Sequence, residues 1–200
     1  MSPQRLVQTA LVLCTALVAS EARADQTIVF FRHGEKPSGG YGQLTCQGLN
    51  RALALPLVLS AHYGKATYVY APNPAVKVTD PAGSFYYVRP LATIEPTAIR
   101  LGLPVNTKYA YTDVAGMQAS LITSSKNNTV SFVAWEHSYL VKIVQSIMTT
   151  YGGGVTVPAW VSGDYDSEYV VDVNYSGTSP MAQFHKAAEG LNGQSTACPQ

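Results

Sequence analysis

The sequence is short of charge. Asp, Glu, Lys and Arg together make up only 12% of its 200 residues. No basic run occurs of the kind that a nucleic-acid or anionic-membrane surface requires, so the room left for cationic recognition is a local pocket. Long apolar runs are equally scarce. The one extended example, in MSPQRLVQTALVLCTALVASEARA, is interrupted by Gln8 and Thr9 and falls short of the roughly 20 residues that span a bilayer, which argues against a membrane-embedded protein. Internal repeats, low-complexity tracts and a dividing linker are also missing. With 46% hydrophobic residues the chain can bury one substantial core, and one domain over residues 25–200 is expected.

Residues 1–24 stand apart from that domain. A cationic start, an apolar middle and a small-residue Ala22-Arg23-Ala24 ending have the pattern of an export leader cut after Ala24, which implies a periplasmic or secreted protein. Leu13 precedes Cys14 where a lipoprotein signal wants a small residue, so no lipid anchor is expected. Losing Arg5, Arg23 and Glu21 with the leader turns 13 basic and 12 acidic residues into a formally neutral mature chain. Two of the three cysteines survive the cut, Cys46 and Cys198. In an oxidising compartment they either join, tying the C-terminal tail to the first helix, or remain two thiols; their separation in space decides which.

The mature chain alternates strand and helix patterns. Residues 27–31 are apolar and partly β-branched, the mark of a strand buried on both faces. After a Gly-rich loop, Thr45 is a plausible N-cap for a helix that Pro56 breaks or kinks before residues 57–63, with Gly64 as a stop. Residues 66–71 read as a second strand, followed by a long connection rich in Pro, Gly, Asn and Asp over 72–90. Helical spacing follows over 92–101, with Pro96 in its first turn and Gly102 at its stop. The segment 106–128 is irregular, residues 129–135 are a clear strand, and Ser138 opens a helix towards Gly152. A strand at 168–173 and a final strand at 181–191 complete the series. This βαβ rhythm predicts an α/β sheet.

Ligands of such sheets bind at the carboxyl ends of the strands. The first strand delivers Arg32-His33-Gly34-Glu35, the second leads to Arg89, and the 129–135 strand delivers Glu136-His137. Each residue has a task in phosphoryl transfer. A largely unprotonated His33 can take a phosphoryl group on one ring nitrogen while a partner holds the other. Arg32 and Arg89 can each offer forked donors to phosphate oxygens, Gly34 lets the backbone come close to the anion, and His137 adds a donor for the transferring charge. His62 and His185 lack such a setting and read as surface or structural. Asp164, Asp166 and Glu168 alternate but lack the glycine and terminal glutamate of a calcium loop, so a solvated turn is expected there. Tyr86, Tyr87, Tyr109 and Tyr111 could wall a pocket, and Trp135 reads as core.

The segments FFRHGEKP (30–37), GQLTCQGLNRALAL (42–55), VRPLATIEPTAIRLGLPV (88–105) and VAWEHSYL (133–140) together resemble the histidine phosphatase superfamily, also called phosphoglycerate-mutase-like. The resemblance implies a three-layer αβα sandwich around a central, mostly parallel sheet. It also implies a covalent phosphohistidine on His33, a phosphate pocket from Arg32, Arg89 and His137, a small phosphorylated substrate, and no metal or other cofactor. In the family's pattern the second arginine stands four residues before the Thr-Ala pair that opens the second helix. Counted from Thr97-Ala98, that position is Thr93, and Arg89 lies four residues further upstream. The expectation is that Arg89 still reaches the pocket, stiffened by Pro90; otherwise the site lacks one clamp. Position in the family order puts the general acid at Asp113, with Glu136 and Glu35 as rivals.

These readings favour an exported phosphomonoesterase. A non-catalytic module that binds a phosphorylated ligand or envelope component is the alternative. A phosphoglycerate mutase is disfavoured because export removes it from glycolytic intermediates, and a metal hydrolase because two histidines from distant strands make a poor zinc signature.

Overall fold

The structure, a computed structural model, describes residues 24–200. The expected leader lies outside the described residues apart from Ala24. Six strands form one sheet in the order β5-β2-β6-β1-β7-β8. These are β1 (Gln26–Arg32), β2 (Tyr68–Tyr70), β5 (Val105–Asn106), β6 (Thr129–Trp135), β7 (Ser167–Asn174) and β8 (Met181–Ala188); β3 (Lys77–Asp80) and β4 (Gly83–Tyr86) make a separate hairpin. The first four in the sheet run parallel, β7 is antiparallel to β1, and β8 is antiparallel to β7. The sheet is thus mostly parallel, as expected.

Alternate residues of the central strands feed two cores, which is what makes the molecule three layers deep. Ile28, Phe30, Val133 and Trp135 face one core with α3 (Val114–Leu121) and α4 (His137–Tyr151). Val29, Phe31, Phe132 and Ala134 face the other with α1 (Cys46–Tyr63) and α2 (Arg89–Leu101). Burial on both faces explains why β1 and β6 read as continuous apolar runs rather than alternating ones.

The register positions the site. β1 pairs with β6 along its whole length, with Arg32 opposite Trp135, so both strands end at one level. The His33 amide extends the ladder by one bond to the Trp135 carbonyl (3.2 Å). His33 and Glu136-His137 therefore leave the sheet side by side.

Several boundaries differ from the sequence expectation. α1 runs unbroken through Pro56, because Leu55, Pro56 and Leu59 are buried in the core and hold the helix across the one missing backbone bond. α2 begins at Arg89, three residues early, with Pro90 in its first turn and Pro96 in its interior. Gly102 stops it in the left-handed region (φ 68°) as expected. The 106–128 segment holds α3 and a 3-10 turn (Ser124–Lys126), and the 72–90 connection holds the β3–β4 hairpin.

The tail after β8 folds back on α1. Cys46 and Cys198 are joined in a disulfide with their Cα atoms 4.5 Å apart, and Asn50 donates to the Ser195 and Ala197 carbonyls (2.8 and 2.7 Å). Fully buried Arg51 sits beneath, shared among Glu35, Asp166 and Glu189. Burial raises the Glu189 carboxyl to about 8 against the pull of Arg51, because Glu168 and Asp166 add negative charge nearby.

Two outcomes are expected. The disulfide closes a loop of 152 residues, so the Cys46→Ala, Cys198→Ala double variant should lose about 2–5 kcal/mol in denaturant unfolding. Glu189 holds its proton in the fold up to about pH 8, whereas its unfolded counterpart releases it near 4.5. Its contribution is therefore complete below pH 4.5 and is lost as pH rises towards 8. Unfolding of Glu189→Gln beside wild type from pH 4 to 9 should show the variant gaining relative stability across that window; a pH-independent difference contradicts the assignment.

Candidate active site

His33 follows the last residue of β1 and is buried. Its Nδ1 lies 2.8 Å from the carbonyl oxygen of Gly34. A carbonyl only accepts, so Nδ1 carries the proton and Nε2 keeps a free lone pair. Burial pushes the imidazole well below its ordinary value, and the charges of Arg89 and Arg32 push it further, against the pull of the Gly34 carbonyl and Glu136. At neutral pH the ring is neutral and fixed in one tautomer.

The two arginines beside it are held in the same manner. Arg32 donates from Nη1 to the carbonyls of Ser162 and Asp164, the latter at 3.3 Å, and its guanidinium lies 4.0 Å from the centre of the Tyr165 ring. Arg89, the first residue of α2, donates from Nη1 to Asp80 Oδ2 (2.6 Å) and the Gly40 carbonyl (3.3 Å), and from Nη2 to Asp80 Oδ1 (3.2 Å). A guanidinium has five N–H donors. In each arginine both Nη1 hydrogens are engaged by the protein, while Nε is buried without a partner. What remains is the Nε/Nη2 edge, a parallel pair of donors that matches two oxygens of a tetrahedral anion.

Glu136 and His137 begin α4. Glu136 is its N-cap, accepting from the Tyr139 amide (2.9 Å), and its Oε1 lies 2.7 Å from His137 Nδ1, off the line of a well-directed hydrogen bond. Burial pulls the Glu136 carboxyl up, but His137 and the Tyr139 and Ser138 amides outweigh it and hold it at about 2. Glu136 is therefore an anion on the wall it shares with His137.

These groups line one cavity of about 290 Å³, with Lys36, Val78, Thr79, Asp80, Tyr87, Tyr111, Ser138 and Tyr139. Its charged walls are Arg32, Lys36 and Arg89 against Asp80 and Glu136. Three buried side-chain donors of this cavity have no hydrogen-bond partner among the described residues: Arg32 Nε, Tyr87 Oη and Arg89 Nε. Buried donors left unpaired are costly, and their convergence marks a place built for an acceptor-rich ligand. Tyr87 stands edge-on to His33 with ring centres 6.0 Å apart, and burial raises its phenol so that it keeps its proton.

The structure brings Arg32, His33, Arg89, Glu136 and His137 together and leaves the other expected residues elsewhere. Gly34 does not line the cavity: its amide donates to Thr93 Oγ1 (2.9 Å), and a Cβ there would lie 2.8 Å from the Gly48 carbonyl oxygen. Its lack of a side chain serves close packing of the loop on α1, not approach to an anion. Asp113 is the exposed N-cap of α3, its carboxylate taken by the Gly116 amide (2.8 Å), and it is not part of the cavity. Glu35 turns to Arg51 (2.8 Å). Tyr86 is exposed, His62 and His185 lie outside the cavity, and Trp135 is core.

Thr93 stands at the position where the second arginine is expected, and it binds Arg89 to the loop after β1. Its hydroxyl donates to the Arg89 carbonyl (2.8 Å), one helical turn away, while accepting from Gly34. Arg89 thus reaches the cavity from one turn upstream of the expected position.

Sequence reading missed Asp80 and the 162–165 turn. The Lys77–Tyr86 span does carry a hairpin signal, two short runs flanking Pro81-Ala82-Gly83, and Asp80 ends the first. The 162–165 contacts come from backbone carbonyls, for which residue type leaves no mark. That turn is not merely solvated: Asp164 shapes it by accepting from the Asp166 and Ser167 amides (2.9 and 3.0 Å).

No protein-family model and no curated protein matches the sequence. Solved structures do match the fold. Mycobacterial glucosyl-3-phosphoglycerate phosphatase aligns with a TM-score of 0.54 at 12% identity, over 82% of this chain and 97% of that one. The same mycobacterial enzyme in complex with inorganic phosphate aligns at 0.53, with 13% identity over 82% and 96%. A protein assigned as the phosphohistidine phosphatase SixA from Nakamurella multipartitia aligns at 0.50, with 15% identity over 80% and 95%. The chain has the histidine phosphatase fold.

Replacing Arg89 by Lys removes the side-on donor pair and keeps the charge. Losing one charge-assisted hydrogen bond of about 1.5–3 kcal/mol should weaken inorganic phosphate binding roughly ten- to a hundredfold by calorimetry. Unchanged affinity would show that Arg89 serves only Asp80.

Proposed function

We propose that the chain is a phosphomonoester hydrolase that works through a covalent phosphohistidine on His33, and that it is exported by its N-terminal leader. The observation that carries the chemistry is the pairing of a neutral, tautomer-locked His33 with two guanidinium edges left free by the protein around one small cavity. The histidine phosphatase fold and the phosphatases that share it support the reading.

In the first step the Nε2 lone pair of His33 attacks phosphorus, the bond to the leaving oxygen breaks, and its electron pair departs with that oxygen. The imidazole gains positive charge, which the Gly34 carbonyl steadies through Nδ1–H. Arg32, Arg89 and His137 hold the oxygens of the transferring group, where preorganised donors act most strongly. In the second step water attacks the phosphorus, the P–N bond breaks, and a proton passes to solvent as phosphate forms. No step calls on a metal or cofactor. Export rests on the pattern of residues 1–24 alone.

The test is transfer of label from a phosphomonoester to protein, with chelator present. Wild type should carry acid-labile, base-stable label. His33→Ala should carry none, and its turnover should fall on the order of a thousandfold or more. A folded His33→Ala protein that still turns over ends the proposal, and loss of wild-type activity on chelation ends its metal-free form.

A further inference from the structure

Hydrolysis of an alkyl phosphate needs a proton for the departing alkoxide, commonly from a carboxylic acid within reach of the bond that breaks. None of the carboxyl groups about this site is free to serve. Asp80 meets both terminal nitrogens of Arg89 (2.6 and 3.2 Å), accepts from the Gly42 amide (2.9 Å) and lies 3.7 Å from Lys36. Glu136 caps α4 and faces His137. Glu35 is drawn to Arg51, and Asp113 caps α3 outside the cavity. The Asp80 carboxyl is pulled up by burial but held below its ordinary value by Arg89 and the Gly42 amide, in line with the geometry.

The remaining protic groups of the cavity are poor substitutes. Tyr87, Tyr111, Tyr139 and Lys36 are phenols and an ammonium, about a millionfold weaker as acids than a carboxylic acid. Burial weakens the Tyr87 and Tyr111 phenols further. His137 turns Nδ1 to Glu136 (2.7 Å), and the proposed function gives its other ring nitrogen to the transferring oxygens.

Resting on the proposed function, we infer that this site acts on phosphoryl compounds whose leaving group departs as a stable anion, such as aryl phosphates, acyl phosphates or phosphoanhydrides, and acts poorly on alkyl phosphate esters. The atoms balance without an acid: His33 Nε2 forms the P–N bond, the P–O bond breaks, and the leaving oxygen keeps the electron pair and needs no proton.

The experiment is rapid-quench measurement of phosphoenzyme formation by the full mature chain with p-nitrophenyl phosphate, phenyl phosphate, inorganic pyrophosphate and glycerol phosphate. Without general-acid assistance, glycerol phosphate should phosphorylate His33 about a hundred- to ten-thousandfold more slowly than p-nitrophenyl phosphate, with phenyl phosphate between. Hydrolysis of the common phosphoenzyme should proceed at one rate whichever substrate made it. Phosphorylation by glycerol phosphate within tenfold of p-nitrophenyl phosphate overturns the inference and leaves the phosphohistidine intact. Absence of phosphoenzyme from every substrate overturns the proposed function itself. Asp80→Asn and Glu136→Gln should leave the aryl-to-alkyl ratio unchanged; a ratio that widens tenfold or more in either variant identifies that carboxyl as the missing acid and also overturns the inference.

Discussion

The site depends on how hydrogen-bond donors are distributed around two buried guanidinium groups. A buried arginine is tolerable only when its donors find acceptors, and here the protein satisfies one side of each and leaves the other. For Arg32 the acceptors are carbonyls of the 162–164 turn. For Arg89 they are Asp80 and the Gly40 carbonyl. The two are fixed by unrelated parts of the chain, yet both keep the same Nε edge unpartnered. Each free edge has the geometry to meet two oxygens of a tetrahedral anion, and His33 stands in the same cavity.

Sheet register converts distant sequence into that proximity. His33 and His137 are 104 positions apart in number but leave neighbouring parallel strands paired from Gln26–Thr129 to Arg32–Trp135. Arg89 reaches the same edge because α2 starts there, anchored through Thr93 to the Gly34 amide. The Gly34–Gly48 contact presses the loop after β1 against α1, and Arg51 ties Glu35 of that loop to Glu189 beyond β8. The loop is thereby held from beneath as well as from the sheet.

Much of this could be read from residue type. β1 and β6 showed as apolar runs buried on both faces, and the charged residues at their ends marked the site, because polar groups at the end of a core strand need a reason. Position alone misled for Asp113 and Gly34. An Asp before a helix is as good a cap as a catalyst, and a glycine can serve a close backbone crossing as well as a ligand. That Arg89 reaches the cavity from one turn upstream of the expected position became visible only with α2 beginning at it. The carbonyls around Arg32 left no trace in the sequence, since every residue carries one.

The β3–β4 hairpin occupies two positions at once. Val78 and Thr79 form part of the cavity wall, and Asp80, the next residue, holds Arg89. Remodelling this hairpin would reshape the cavity and loosen the hold on Arg89 together. The shape of the cavity and the placing of one of its guanidinium groups are mechanically coupled here, so neither can change through this segment alone.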